Sequence, residues 1–344
     1  LACGLKLRRE FGPLIICLML YITGGVASIP IAKDFGDASM YMAVSGFLAI
    51  TAIFYAAILA EKPERFRIIQ NGYTISAVLV SLIGIAGYFQ LFPGADYFTL
   101  YDRARGTFKD PNVFGPFLVL PTLLIIQKLL RDSVLKNAVL LVPLTVLLLG
   151  IFLSFSRGAW GVLFAGVLVI YFLALVTERS SRRRLRLVMM GFAGVLAVFA
   201  LLAAALSIDT VAQMFEQRAR LVQDYASARL GRFARYALGF QLVMEHPLGL
   251  GPLGFRNYFP EDTHNVYLKS FTTYGWLGGG TYIALALWTF AAMVPLLFKS
   301  RPWTGFTHCV FAVFVAHLIL SVIIDTVRLR HMYMLYWLAC GLIA

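Results

Sequence analysis

Apolar stretches close to the roughly 20 residues that a helix needs to cross a bilayer recur along the whole chain, and few folds can accommodate them. Ten can be read, at 11–29, 39–60, 73–91, 113–127, 138–153, 159–176, 188–206, 276–298, 306–324 and 332–344, in a sequence that is 60% hydrophobic. Backbone inside lipid has no water to satisfy its N–H and C=O groups, which leaves helices and closed barrels. The runs are continuous rather than alternating, which excludes a barrel. The expected fold class is therefore all-α: a polytopic membrane helix bundle of about ten spans, one transmembrane domain over 1–344, with a long loop at 207–263. The first run follows Lys6, Arg8 and Arg9 as in a signal peptide, but it is long and lacks a small-x-small exit, so it reads as an uncleaved span. The last run reads as the start of a longer helix, with spans expected beyond both ends of the sequence.

The basic residues set the orientation. Alternating from a cytoplasmic N-terminus leaves sixteen of the thirty on the inside, among them the SRRRLR run at 181–186. The bias becomes decisive once the long 207–263 loop is set aside, because positive-inside is a rule of short loops. That orientation leaves Arg103, Arg105, Arg157, Arg229 and Arg232 outside the cytoplasm, where topology does not ask for positive charge. The outer basic set is eleven Arg to three Lys (Lys33, Lys109, Lys269). A planar fork of donors suits a phosphate in a way that a point charge does not. Twelve acidic residues also lie outside, so ordinary surface ion pairs are the competing account. The formal charge of +13 is spread over loops between spans rather than gathered on one soluble face, which argues against nucleic acid and for membrane lipids as the surroundings. Cys3, Cys17, Cys309 and Cys340 lie in or beside apolar runs without metal or redox spacing and read as small buried side chains.

Three outer segments carry the candidate chemistry. In YDRARGTFKDPNVFGPF, at 101–117, Asp110 before Pro111 favours a turn and Asn112 is placed to cap a helix starting near Val113. The N-terminus of that helix, beside two arginines, is either an anion site or merely well capped. In SFSRGAW, at 154–160, Arg157 stands at the membrane boundary with almost no loop to carry it into water. It either snorkels or serves a ligand, for which Ser154, Ser156 and Gly158 leave room. Within 207–263, Leu230, Phe233, Tyr236, Ala237, Phe240, Val243 and Met244 recur at helical spacing and predict an amphipathic helix on or near the membrane surface. Arg229, Arg232 and Arg235 follow every three residues, with anionic headgroups the expected partner of Arg235, Arg218 and Arg220.

The chain then runs HPLGLGPLGFRNYFPEDTHNVYLKSFTTYGWLGG, irregular backbone that a membrane tolerates only when it is packed in protein or lines a wet cavity. His264 and Asn265 stand where helix resumes. A histidine there, beside Glu261 and Asp262, suits proton abstraction from a sugar hydroxyl, and would equally suit a plain helix cap. His246 reads as turn chemistry; His308 and His317 read as packed between helices. No carboxylate pair or Cys/His cluster appears in an outer loop, so neither a divalent metal nor a cofactor is expected.

In this order, RARGTFKDPNVFG, SFSRGAWG, RFARYALGFQLVMEHPLGLGPLGF and HNVYLKSFTTYGWLGG resemble the O-antigen ligase and O-antigen polymerase superfamily of bacterial inner-membrane glycosyltransferases. The resemblance covers about Arg103 to Gly279. It implies metal-free transfer of a glycan from an undecaprenyl-diphosphate donor to a hydroxyl of a glycolipid or glycan acceptor at the periplasmic face. Residue by residue it matches Arg103, Arg157 and Arg232 to the family's arginines, with Arg105 and Arg229 as second candidates for the diphosphate, and His264 to the base that takes the acceptor proton. Asn112 and Asn265 are supporting residues. The family commonly has around a dozen spans, more than are seen here, and Pro252 in LGLGPLGF departs from its usual single-glycine turn. Ligase and polymerase are not separated by the sequence, and a lipid-carrier transporter that binds diphosphate without breaking a bond is the alternative from another class. The rod-shape and division peptidoglycan polymerases share the architecture but rely on an outer carboxylate, and neither Asp209 nor Asp224, Glu261 nor Asp262 sits in a motif of theirs.

Overall fold

The computed structural model describes residues 9–62, 64–132, 135–219, 232–259, 262–323 and 330–343. Among them stand twelve α-helices. They are α1 Gly12–Ala27, α2 Phe35–Glu61, α3 Arg65–Tyr88, α4 Pro111–Arg131, α5 Leu141–Leu153, α6 Arg157–Thr177, α7 Ser181–Leu206, α8 Asp209–Ala219, α9 Arg232–Glu245, α10 Val266–Met293, α11 Thr304–Leu320 and α12 Arg330–Ile343. The described residues contain no strand, only an isolated antiparallel bridge between Thr99 and Ala104. This is the expected all-helical polytopic bundle.

The ten expected apolar runs coincide with helices of different lengths. Among the described residues, seven helical stretches are long and apolar enough to cross a membrane: Arg9–Ile31, Phe35–Glu61, Arg65–Tyr88, Pro111–Arg131, Arg157–Thr177, Ser181–Leu206 and Val266–Phe298. Asn137–Leu153 and Thr304–Leu320 are apolar but shorter, and α12 has 14 residues. Hydropathy alone does not separate an apolar helix of fewer than 18 residues from a span, because both are continuous apolar runs.

The helices form two compact units: Leu1–Arg65, Val222–Leu296 and His317–Ala344 make one, and Phe66–Leu221 with Leu297–Ala316 makes the other. In the first unit α1 packs along α10, and α2 along α12. The α1–α10 seam is close because both helices place glycine there. A methyl at Gly24 would lie 2.5 Å from Tyr274 O and 2.9 Å from Gly278 N, and Tyr21 stacks on the fully buried Tyr274 with ring centroids 3.9 Å apart. Small residues that let backbones approach are the usual basis of helix association in lipid, where hydrophobic burial gives no net drive.

In the second unit α4 is the central element, with α5 and α6 against it. It carries Pro116 and Pro121 yet stays helical. Pro121 has no N–H to give the carbonyl of Phe117, four residues back. The Tyr73 hydroxyl of α3 donates to that oxygen at 2.6 Å, which replaces the lost helix bond with one between helices. By contrast α7 buries only Leu187 among its own residues.

Candidate functional site

In the second unit, the segment after α3 turns back on itself in a two-residue hairpin. Leu100 and Arg103 exchange backbone bonds at 2.9 and 3.2 Å, and the turn residues Tyr101 and Asp102 both have positive φ, 53° and 55°. That is the primed turn which fits hairpin twist, and it is normally given to Asn-Gly or Asp-Gly. The hairpin caps the end of α5. Ala104 N donates to Leu153 O at 2.9 Å and Arg103 Nε donates to Ser154 O at 2.7 Å, so two orphan carbonyls of the last helical turn are satisfied. Arg103 is 5% exposed, and its terminal nitrogen also donates to Asn112 Oδ1 at 2.9 Å.

This corrects the reading of Asn112 as the cap of α4. The cap is Asp110, whose Oδ1 accepts from Asn112 N at 2.6 Å, and the helix begins at Pro111. Proline is well suited to the first helical position, because the N–H it lacks has no partner there in any case. Released from capping, the Asn112 side chain ties the helix start to Arg103. Arg105 is folded onto its own loop, donating to Tyr97 O at 2.9 and 3.2 Å.

Arg157 is the first residue of α6. Ser156 caps that helix, with its side chain accepting from Ala159 N at 3.4 Å. The turn from α5 is as short as the sequence implied, with Ser154, Phe155 and Ser156 buried and Arg157 exposed. Gly115 on α4 makes room for it, since a methyl there would sit 2.6 Å from Ser154 Oγ and 2.7 Å from Ala159 Cβ. The N-termini of α4 and α6 thus lie side by side, both capped and both bringing partial positive charge to the end where Arg103, Arg105 and Arg157 stand. Over the same end α8 packs Phe215 against Phe152 and Trp160, with ring centroids 5.8 Å apart in each pair.

In the first unit, the Gly/Pro-rich segment is packed in protein. Gly249 and Gly251 have φ of 82° and 79°, and α10 breaks at Gly275, with φ 67° and ψ −172°. The segment wedges into that break. Trp276 N donates to Pro247 O at 2.8 Å, Leu250 N donates to Thr272 O at 2.7 Å, and Ser28 Oγ from the α1 side takes Thr273 O at 2.7 Å. A break in a spanning helix is tolerated when its freed groups find partners in this way. The apolar run at 276–298 starts at the break, so the reading of a span beginning there is corrected: the helix extends back to Val266.

His264 is half-buried with φ 49°, and its carbonyl accepts from Tyr236 Oη of α9 at 3.0 Å. The cap of α10 is the next residue: Asn265 Oδ1 accepts from Leu268 N at 2.9 Å. The alternative of His264 as a plain cap is thereby removed. Asp262, close by in sequence, faces Lys269 Nζ at 3.0 Å and Arg256 at 3.7 Å. Burial works against its charge, but the Lys269 ammonium, the hydrogen bonds from Lys269 and Thr263 N, and Arg256 outweigh it and hold the carboxyl below its ordinary 3.8. Sequence reasoning had named Lys269 only among the outer lysines and Tyr236 only as an apolar position of the amphipathic helix, and had not named Thr263; a lysine seven residues after an aspartate, inside an apolar helix, was the available signal.

Of the arginines expected on α9, Arg229 lies outside the described residues and Arg232 opens the helix; Arg220, expected at lipid headgroups, also lies outside the described residues. Arg235 is 2% exposed, which corrects its assignment to lipid headgroups. The face of α9 turned inward is Arg235, Gly239 and Val243, while Leu238, Phe240 and Met244 are exposed, so the helix is amphipathic but rotated from the expected stripe. The remaining histidines stand as expected: His246 Nδ1 is 2.9 Å from Leu242 O at a helix end, and His308 and His317 are buried. Cys309 and Cys340 are buried and Cys17 partly so; Cys3 and Glu261 lie outside the described residues. Among the described residues, no group of three or more His, Cys, Asp or Glu is placed to hold a metal ion.

Fold and site together define a multi-pass membrane protein that gathers arginines at helix N-termini in one unit and holds a histidine ahead of a broken helix in the other. Residues 142–283 match the family model described as O-antigen ligase, a stretch that includes Arg157, Arg232 and His264 but not Arg103, Arg105 or Asn112. That match supports the O-antigen ligase and polymerase superfamily for this stretch of the chain. No curated protein matches it.

Proposed function

We propose that this protein transfers a glycan from undecaprenyl diphosphate to a hydroxyl of an acceptor, lipid A core or a similar glycolipid, at the periplasmic face of the bacterial inner membrane, with its N-terminus in the cytoplasm. His264 takes the proton of the acceptor hydroxyl on an imidazole nitrogen. The freed oxygen pair forms the new glycosidic bond to the anomeric carbon, and the bond from that carbon to the diphosphate breaks with its electron pair leaving on the lipid diphosphate. Arg157 donates to the diphosphate oxygens as their charge grows, assisted by the partial positive charge of the α6 N-terminus that it opens. Arg232 and Arg229, on or before α9, are further guanidinium candidates for a diphosphate. Arg103 and Arg105 bind the loop carbonyls that fix this end of the second unit, which makes them the support on which Arg157 stands.

The observation that carries this reading is His264 itself. It lies inside the stretch matched to the family, is not the cap of α10, and occupies a left-handed conformation that a non-glycine residue adopts at a cost of about 1–3 kcal/mol when function or packing demands it. Purified protein with a lipid-diphosphate glycan and candidate acceptors tests it. His264→Ala is expected to abolish transfer and leave donor binding nearly intact, and activity is expected to persist in chelator. Full transfer by His264→Ala would turn the reading into that of a carrier-binding transporter. Elongation of the donor's own repeat, rather than its attachment to a different acceptor, would make the protein a polymerase.

A further inference from the structure

Lys269 stands in the second turn of an apolar helix, with its side chain 10% exposed and its partner Asp262 at 11%. A buried ion pair is a poor stabiliser, because desolvating the two charges cancels much of their attraction, and apolar residues of similar volume do as well or better. Its location is the informative part. Asp262 Oδ2 meets Lys269 Nζ at 3.0 Å, and Asp262 Oδ1 accepts from Thr263 N at 2.9 Å. The Thr263 hydroxyl, on a residue 1% exposed, donates to Asn265 O at 3.3 Å, and the same oxygen accepts from Lys269 N at 2.9 Å. Asn265 Oδ1 in turn caps the helix that carries Lys269. The contacts form a closed ring from Asp262 to Lys269, and His264 lies inside it at φ 49°, its own carbonyl held from outside by Tyr236.

We propose that Asp262 and Lys269 are positioning residues for His264: their ion pair closes the ring that keeps the histidine in its left-handed conformation ahead of α10. The inference rests on the reading of His264 as the base. It also assigns Tyr236 a role, that of fixing the histidine's backbone to α9, the helix opened by Arg232. The lowered pKa of the Asp262 carboxyl keeps its side of the clamp charged near neutral pH. Arg256, which is exposed and 3.7 Å from the carboxylate, is an auxiliary contact.

The test separates positioning from folding and from the base reading. Because an uncompensated buried charge in a single variant can prevent folding, the key protein is Asp262→Asn combined with Lys269→Met, which leaves no charge behind. Its kcat for transfer is expected to fall about 100-fold, the scale of a misplacement of about 1 Å, with KM for the donor within about twofold of the parent. Amide exchange over residues 263–268 is expected to accelerate. Lys269→Arg, which preserves the pair, is expected to restore both readouts, as a merely space-filling role would not require. An unchanged kcat in the double variant, or Lys269→Arg as impaired as Lys269→Met, overturns the proposal. Full activity in His264→Ala would instead remove the base reading, and the exchange measurement would then decide alone whether the pair holds the segment.

Discussion

The two units solve one problem, irregular backbone at the end of a helix bundle, in opposite ways. In the second unit the side chains do it: Asp110 and Ser156 cap α4 and α6, and Arg103 collects Ser154 O and Asn112 Oδ1. At the break of α10 in the first unit the main chain does most of it, with Ser28 Oγ on Thr273 O. The 247–250 backbone enters the break in α10 and exchanges bonds with Trp276 N and Thr272 O. Side-chain solutions are local and degrade one bond at a time, whereas a backbone wedge needs its whole path clear. The units should therefore differ in how they respond to small changes.

The largest expected effect follows from Gly275→Ala. At φ 67° and ψ −172° any side chain is strained, and the added methyl would meet Pro247 O and Leu248 C at 2.8 Å. A loss of about 3 kcal/mol or more is expected, read as a lowered unfolding midpoint in detergent. A stability within experimental error of the parent would remove the wedge account.

Next come the two arginines of the other unit. Arg157→Lys is expected to lower donor affinity and transfer together by about tenfold or more, since an ammonium does not reproduce bidentate donation. Arg103→Lys is expected to lower stability by about 2 kcal/mol through its lost bonds to Ser154 O and Asn112, with donor binding falling only as folding does. The reverse pattern would exchange their roles.

The smallest effects are those of the caps. Asp110→Ala and Asn265→Ala should each cost about 1 kcal/mol. Only Asn265→Ala should also alter the acid limb of stability, by loosening the turn that holds Asp262 to Lys269. The folded carboxyl of Asp262 titrates below its ordinary 3.8, so its contribution is complete above that value and is lost as pH falls through the lower folded value. An acid unfolding profile for Asn265→Ala that parallels the parent's would separate the cap from the clamp.

Much of this was legible in the residues. Continuous apolar runs gave the helices, and the order of the SRG, HPLGLG and HN segments gave the family, because both are written in local sequence. Three things were not local. The cap of α4 passed from Asn112 to Asp110 because Pro111 occupies the first helical position and Asn112 has a better partner in Arg103, a contact that depends on the hairpin at 100–103. The burial of Arg235 depends on which side of α9 meets α10, and Gly239, where a helix can approach closely, decides that against the larger apolar side chains. The break at Gly275 looked like the boundary of a span because Lys269 lowers the hydropathy of the turns before it, and its compensating charge comes from a loop residue.

The wedge also joins α10 to partners that precede it in the chain. Thr272 and Thr273 give their carbonyls to Leu250 and Ser28, which are both made earlier in the chain than α10 itself. During biosynthesis α10 thus emerges when α1 and the glycine-rich segment, the partners of its freed carbonyls, have already been translated.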